Sequence, residues 1–430
     1  MSNLIVRGGR RLAGKVTPSA NKNAVLPILC ATLLTDEEVT LRGVPDITDA
    51  RKILDLFVQL GSHVDINWDT GLLKVRHASA KNADYARLPE GMRSSIMLIP
   101  PLLARFGVAR LEGEVKGCTL GAREIDPHIE VFQTFGARVE GEEGALALFA
   151  NGGFHCASHW LDYASVTTTE NFVLCAARAR GSSLLMNAAS EPHVQEFCAF
   201  LKLMGARIDG AGTSRLEVTG VEHLKGADYA FQEDFHEIAT FLALGAITGG
   251  EISVKNDSPH QFPLIDRTFA KFGATVTHKD GWSSVKVEDR LKIKEPFTPY
   301  ILQKVEAAPW PYLPVDLLPI FVALGAKSEG QMMYWNKVYE GALGWTSELA
   351  KFGAHCLQCD PHRVVTFGGQ TLGPARVESP YIIRVAIALL MLAASIEGQS
   401  TILNADPIKR AHPRFVENLE SLGADVDWDG

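Results

Sequence analysis

The chain has 430 residues, 46% hydrophobic and 21% charged, with a net charge of −8. This length supports two or three hydrophobic cores. The acidic balance argues against extended nucleic acid as a partner, while leaving room for a small anion at a local cluster of cations. No apolar run approaches the roughly 18–20 residues that span a bilayer.

The first residues pass straight into a strand pattern over residues 3–8, without a signal-peptide core. Seven widely spaced cysteines read as reduced thiols of a cytoplasmic protein rather than a disulfide framework. Lys22 and Asn23 then open an apolar helix in "SANKNAVLP". Free backbone N–H groups at a helix start suit an anion, and a solvated cap is the bland alternative.

From here one unit recurs. "FVQLGSHV", "FQTFGARV", "FLKLMGARI", "FAKFGATV", "LAKFGAHC" and "LESLGADV" align on Gly61, Gly136, Gly205, Gly273, Gly353 and Gly423, roughly 70 residues apart. Apolar residues recur eight, four and one positions before the glycine, as in Ile53, Phe57 and Leu60, or Phe415, Leu419 and Leu422. That spacing predicts one face of a helix of about ten residues, ended by a left-handed glycine. The apolar position three residues later (Val64, Val139, Ile208, Val276, Cys356, Val426) predicts the first buried position of a strand. A second helix-to-strand echo lies between these. Six units of two helices and several strands predict an α/β (α+β) protein of two domains, three units each. The break falls near residue 232, with the strand at 3–8 assigned to the last domain. A cleft between two domains is the default ligand site.

Departures from the repeat mark candidate functional residues. Arg93 stands in "EGMRSSIM", and "KGCTLGARE" (116–124) sets Cys118 between glycines with Arg123 beyond it. His128 takes a position that is apolar in the other five units, so it either lines a site or is satisfied within the fold. Asp316 lies in the apolar run "WPYLPVDLLPIF". A buried acid without a partner would have a raised pKa, as a general base needs; a plain helix cap is the competing reading. Cys356 and Cys359 form a lone CxxC, better explained by packing than by zinc. Arg384 stands in the apolar "YIIRVAIALLMLA", a costly place for a charge unless it is paired. Arg410 lies among turn residues.

Lys22-Asn23, Arg93, "GCTLGAR" with Cys118, Asp316 and Arg410 stand in an order that resembles the enolpyruvyl transferases over the whole chain, most nearly the branch that uses UDP-N-acetylglucosamine. The resemblance implies two inside-out α/β barrels of six βαβαββ-type repeats, over residues 22–232 and 1–21 plus 233–430, with the active site in the interdomain cleft. It implies transfer of the enolpyruvyl group from phosphoenolpyruvate to the sugar 3-hydroxyl by addition–elimination, the first committed step of peptidoglycan precursor synthesis. Lys22, Arg123, Arg384 and Arg410 match the positions that hold phosphoenolpyruvate, whose two anionic groups suit arginine forks. Cys118 matches the loop thiol that protonates or adds to the double bond, and Asp316 the base, with Lys22 in the catalytic set. Asn23, Arg93, Asp126, His128, Ser165, Val166, Asp316 and Val338 match acceptor-side positions. No metal, organic cofactor, nucleic acid or membrane is implied, and a monomer or weak homo-oligomer is expected.

The departures cluster in the second domain: Val315 and Leu317 around the acid, Glu340–Leu343 where the family carries an arginine, Ile382 where an acid is usual, and Asp234-Phe235-His236-Glu237 for the usual "DRIE". They leave a second expectation open, an enolpyruvyl transferase for another nucleotide hydroxyl such as that of a uridine nucleotide. A binding protein without catalysis is a third.

Overall fold

The computed structural model describes residues 2–81, 88, 89, 92–112, 124–142, 145–412 and 414–429. The chain forms two compact units. One holds residues 2–19 and 233–429, and the other the described residues between 20 and 232. They are called here the Asp316 unit and the Lys22 unit.

The Asp316 unit has three four-stranded sheets, each with an edge strand parallel to its neighbour followed by two antiparallel pairings. Their strand orders are Gly14–Val16, Ile252–Lys255, Trp282–Val287, Ala274–Lys279; Gln303–Ala307, Gln331–Asn336, Arg363–Phe367, His355–Asp360; and Arg376–Glu378, Gly398–Leu403, Asn3–Gly8, Asp425–Asp429. The pairs Gln303–Ala307 with Gln331–Asn336 and Arg376–Glu378 with Gly398–Leu403 are joined through buried helices, as βαβ crossovers require, whereas between Gly14–Val16 and Ile252–Lys255 the chain first passes through the other unit. Asn3–Gly8 lies between two C-terminal strands, in register Leu4 with Ile402 and Trp428.

The helices are of two kinds. Phe235–Thr248, Leu318–Lys327 and Ile383–Ala394 are apolar around nearly their whole circumference and pack on one another. A helix apolar on every side must be covered on every side. Pro263–Ala270, Gly344–Phe352 and Phe415–Ser421 bury only the face set by the repeat spacing, including Ile265, Phe269 and Phe272. Gly344–Phe352 is a 3-10 helix rather than the expected α-helix.

The Lys22 unit repeats this division. Lys22–Thr32, Ile99–Phe106 and Val166–Ala176 carry the buried runs, while Thr48–Gln59, Asp126–Thr134 and Pro192–Leu203 are the amphipathic partners. Its sheets order Asp228–Ala230, Val39–Arg42, Leu72–Arg76, His63–Asn67; Ser158–Trp160, Ser182–Met186, Arg215–Thr219, Arg207–Asp209; and Val108–Glu112, Ala145–Phe149, Arg138–Glu142.

All six repeat glycines have positive φ, between 75° and 103°, the left-handed turn that ends each amphipathic helix. The residue three positions later is in a strand in every case, but only Ile208 and Val426 are fully buried. All six stand on edge strands, and the other four are only partly covered.

Candidate functional site

In the Asp316 unit, two buried helices begin side by side. Leu318–Lys327 is preceded by the 3-10 turn Val315–Leu317. Ile383–Ala394 starts after Ile382, an extended residue that supplies no side-chain cap. Both helix starts border a shallow cleft whose polar lining is Asp316, Asn336, Tyr339 and Arg384, with Val315, Ala342 and Ile382 in its apolar wall. At the start of Ile383–Ala394, where no side chain caps the helix, the N–H groups and the positive dipole end favour an anion; the Leu318 N–H is already bonded to the Val315 carbonyl and Pro319 has none.

Asp316 is half-buried and makes neither the buried, partnerless acid nor the helix cap that its apolar run suggested. The turn carries it out of the apolar run and onto the cleft. Arg384 is 13% exposed, and its Nη2 lies 3.6 Å from Asp234 Oδ2, an ion pair too long for a hydrogen bond. Its buried Nη1 has no hydrogen-bond partner among the described residues.

Asp234 is 2% exposed and caps Phe235–Thr248. Its Oδ1 accepts from the His236 backbone N–H at 2.8 Å and faces His236 Nδ1 at 3.1 Å. Burial alone pushes this carboxyl upward. The hydrogen bonds of His236 and the charges of His236, Arg384 and His412 outweigh it and hold Asp234 well below the usual carboxylate range. Glu237, one helical turn on, accepts from the Ser19 backbone N–H at 3.0 Å and pairs with His412 Nδ1 at 3.3 Å. Among the described residues Asp234, Glu237 and His412 are the one set close enough to hold a metal ion, their ligand atoms within 4.8 Å. Arg384 already supplies a cation beside them.

In the Lys22 unit, Asn21 caps Lys22–Thr32 by accepting from the Asn23 N–H at 2.9 Å. Lys22 thus stands at the positive end of the helix dipole, an unfavourable place for a cation. The buried carboxylate of Asp49 offsets this, 2.7 Å from Lys22 Nζ. Asn23 is exposed.

Ser165 caps Val166–Ala176, accepting from the Thr168 N–H, and Val166 is the first helical residue. Asp126 opens Asp126–Thr134, exposed at a helix start that suits its charge. His128 is buried, and its ring nitrogens face Asn171 Nδ2 at 2.9 Å and Thr167 Oγ1 at 3.4 Å. It is therefore engaged within the fold and fixes the turn of helix that carries Asp126 to the one that carries Ser165. A second, smaller cleft here is lined by Pro127, Glu130, His159, Leu161, Tyr163 and Ser165 among others.

Cys118 and Arg123 lie outside the described residues, as do the side chains of Arg93 and Arg410. Their backbones place Arg93 at the start of the 3-10 helix Arg93–Leu98 and Arg410 in Asp406–Ala411. Val338 is not in the lining of the Asp316 cleft; Asn336 and Tyr339 are. Asn336 Oδ1 accepts from the N–H groups of both Val338 and Tyr339, which turns the chain at the strand end. Sequence reasoning missed these two and Tyr163. The one available signal was an asparagine closing an alternating strand, which any turn would also explain.

The chain is thus a two-unit α/β protein with an acid and an arginine at neighbouring helix starts in one unit. The sequence profile of the EPSP synthase (3-phosphoshikimate 1-carboxyvinyltransferase) family matches residues 6–419, and the chain belongs to this enolpyruvyl transferase family. It is 36% identical over 429 residues to the UDP-N-acetylglucosamine 1-carboxyvinyltransferase of Borreliella burgdorferi, covering 99% of each chain. It is 35% identical over 443 residues to the enzyme of the same name from Bacteroides thetaiotaomicron, again covering 99% of each. Among solved structures, the enolpyruvyl transferase NikO from Streptomyces tendae shares the fold with a TM-score of 0.86 at 21% identity, covering 99% of each chain.

Proposed function

We propose that the protein transfers the enolpyruvyl group of phosphoenolpyruvate to the 3-hydroxyl of UDP-N-acetylglucosamine and releases phosphate, the entry step to peptidoglycan precursors. Two things support this: likeness to enzymes of that name along nearly the whole chain, and the cleft that joins Asp316 to Arg384. The cleft is the observation that supports this chemistry, because the Asp316 carboxylate and the Arg384 guanidinium line it together at two helix starts.

In this reading Asp316 takes the proton of the acceptor hydroxyl as its oxygen bonds to C2 of phosphoenolpyruvate. A proton reaches C3 in the same addition, and Cys118 is assigned to deliver it. Loss of a proton from C3 and of phosphate from C2 restores the double bond. Arg384, Lys22, Arg123 and Arg410 hold the anionic groups. Ser165, Val166 and Asp126, with Asn23 and Arg93, are assigned to the acceptor nucleotide. His128 supports that side by tying its two helices together.

Residues 22–232 and 1–21 plus 233–430 are read as two domains that both contribute to the reaction, each an inside-out barrel of three βαβαββ-type repeats. Buried helices flanked by sheets support that reading in the Asp316 unit. We place the enzyme in the cytoplasm, acting as a monomer or weak oligomer. Among the described residues no helix is long and apolar enough to cross a membrane.

The test is phosphate release from phosphoenolpyruvate across candidate acceptors. Release is expected only with UDP-N-acetylglucosamine present. Turnover with UMP and none with the UDP-sugar would overturn the acceptor while keeping the reaction class. One observation favours keeping UMP in the panel: of the departures noted in the sequence, Val315, Ala342 and Ile382 all line the Asp316 cleft. Silence with every acceptor would leave a binding protein.

A further inference from the structure

Among the described residues, the acid in ion-pair range of Arg384 is Asp234. Asp234 is a buried carboxylate close enough to seize the guanidinium in a direct, forked salt bridge, the strongest pairing either group can make. It does not. The shortest approach is 3.6 Å, and Arg384 Nη1 is buried with no hydrogen-bond partner among the described residues. An arginine left partly unsatisfied is costly, so something must draw Asp234 away from it.

The competitor is His236. Its backbone N–H and ring Nδ1 both converge on Oδ1 of Asp234, at 2.8 and 3.1 Å. The ring is 3% exposed, so water does not substitute for it. The Asp234 backbone is pinned from the other side, its N–H donating to the Ser19 carbonyl at 2.9 Å. The carboxylate therefore cannot swing toward Arg384 without giving up the ring contact. Phe235, in the intervening position, carries no charge that could take part.

We infer that His236 is a positioning residue for the anionic substrate: by occupying Asp234, it keeps the Arg384 guanidinium in ion-pair range but unclaimed, ready for phosphate or carboxylate. The inference rests on the reading of the cleft as the phosphoenolpyruvate site. It goes beyond that reading because His236 touches no substrate and acts only by restraining a rival of the substrate.

The experiment measures KM for phosphoenolpyruvate, kcat and thermal midpoint in His236→Ala, His236→Asn and the double variant His236→Ala with Asp234→Asn. In His236→Ala the carboxylate turns to Arg384, so KM should rise about tenfold, the scale of one charge-assisted contact, with kcat within about threefold. Asparagine can place its amide donor near Nδ1, so His236→Asn should stay near wild type. In the double variant the rival charge is gone, and KM should return to within about threefold of wild type. A purely structural role would instead lower the midpoint and would not be rescued by a second substitution. A folded His236→Ala enzyme with unchanged KM overturns the inference, and so does a double variant no better than the single one. If His236→Ala does not fold, His236→Phe takes its place, keeping a ring and removing the Nδ1 contact: a KM raised about tenfold supports the inference, and an unchanged KM refutes it. A wild type that turns over phosphoenolpyruvate while these variants behave otherwise sinks only the role of His236. A wild type that neither binds nor turns it over sinks the functional reading with it.

Discussion

Asp316 makes no hydrogen bond or ion pair among the described residues, although it is half-buried at the start of a buried helix. Its carboxylate therefore contributes little to the fold, and its cost is tolerated where the chain opens on the cleft. Asp316→Asn keeps the shape and removes the carboxylate proposed as the base. The expected outcome is a fall in kcat of about 10²–10⁴-fold, with the thermal midpoint shifted by no more than about 2 °C, as for a substitution away from packed features. Steady-state kinetics beside a thermal melt checks this. A midpoint loss that parallels the activity loss would assign Asp316 to the structure instead. At this scale the sequence was informative wherever a residue broke a pattern. Asp316 and Arg384 were visible as charges in apolar runs, and the structure brings both to one cleft. Asn336 and Tyr339 were not visible, because a polar residue at a strand end breaks no pattern. The engagement of His128 with Asn171 and Thr167 was not visible either, because its partners lie about forty residues away on another helix.

Helices and strands were more legible, since their periodicity is a direct record of which face is covered. The spacing that ends on each repeat glycine located five α-helices, and one stretch that forms a 3-10 helix instead. What spacing could not give is how closely elements approach. In Leu318–Lys327, a Cβ at Gly325 would sit 1.8 Å from Tyr334 Oη and 2.8 Å from Thr366 Oγ1. Tyr334 is fully buried and donates to the Phe321 carbonyl at 2.9 Å. Alanine in mid-helix normally gains up to about 1 kcal/mol over glycine. Here Gly325→Ala must displace a buried, hydrogen-bonded tyrosine, and a net destabilisation of about 2–4 kcal/mol is expected, read by urea denaturation. In the other unit, His77 joins the end of Lys22–Thr32 to the turn after Thr48–Gln59, bonded to Thr32 Oγ1 at 3.0 Å and Ser62 Oγ at 2.7 Å. Burial foremost, and Arg105 second, push its imidazole down to about 3. With the unfolded value near 6.5, the unfolded chain binds the extra proton between the two values. This contribution is intact above about pH 6.5, and stability falls as the pH drops below it, by up to about 1.4 kcal/mol per pH unit toward 3. A His77→Gln variant should lose that acid sensitivity between pH 6.5 and 4.5, measured as a shallower fall in unfolding free energy. A slope equal to wild type would assign the acid sensitivity to other groups.

At the scale of the whole molecule, connectivity makes an asymmetric statement about the two units. Every described strand of the Lys22 unit pairs within residues 39–230, because Asp228–Ala230 returns to complete the sheet begun by Val39–Arg42. The Asp316 unit is different. Its last sheet has Asn3–Gly8 in the interior, hydrogen-bonded on both sides, and Gly14–Val16 closes the edge of another sheet. Leu4 and Val6 belong to its core. Removing residues 1–19 therefore takes an interior strand and an edge strand from one unit and no strand from the other. A fragment of residues 20–232 should then fold alone and unfold cooperatively, at about 0.05–0.15 kcal/mol of stability per residue, as ordinary domains do. Residues 233–430 without the first segment should not, since Gly398–Leu403 and Asp425–Asp429 would face each other across a missing strand, each with a row of unpaired backbone groups. Supplying residues 1–19 as a separate peptide should restore protection to Gly398–Leu403 in hydrogen exchange. A fragment 233–430 that melts cooperatively without the peptide would show that the first segment is an ornament rather than part of the sheet.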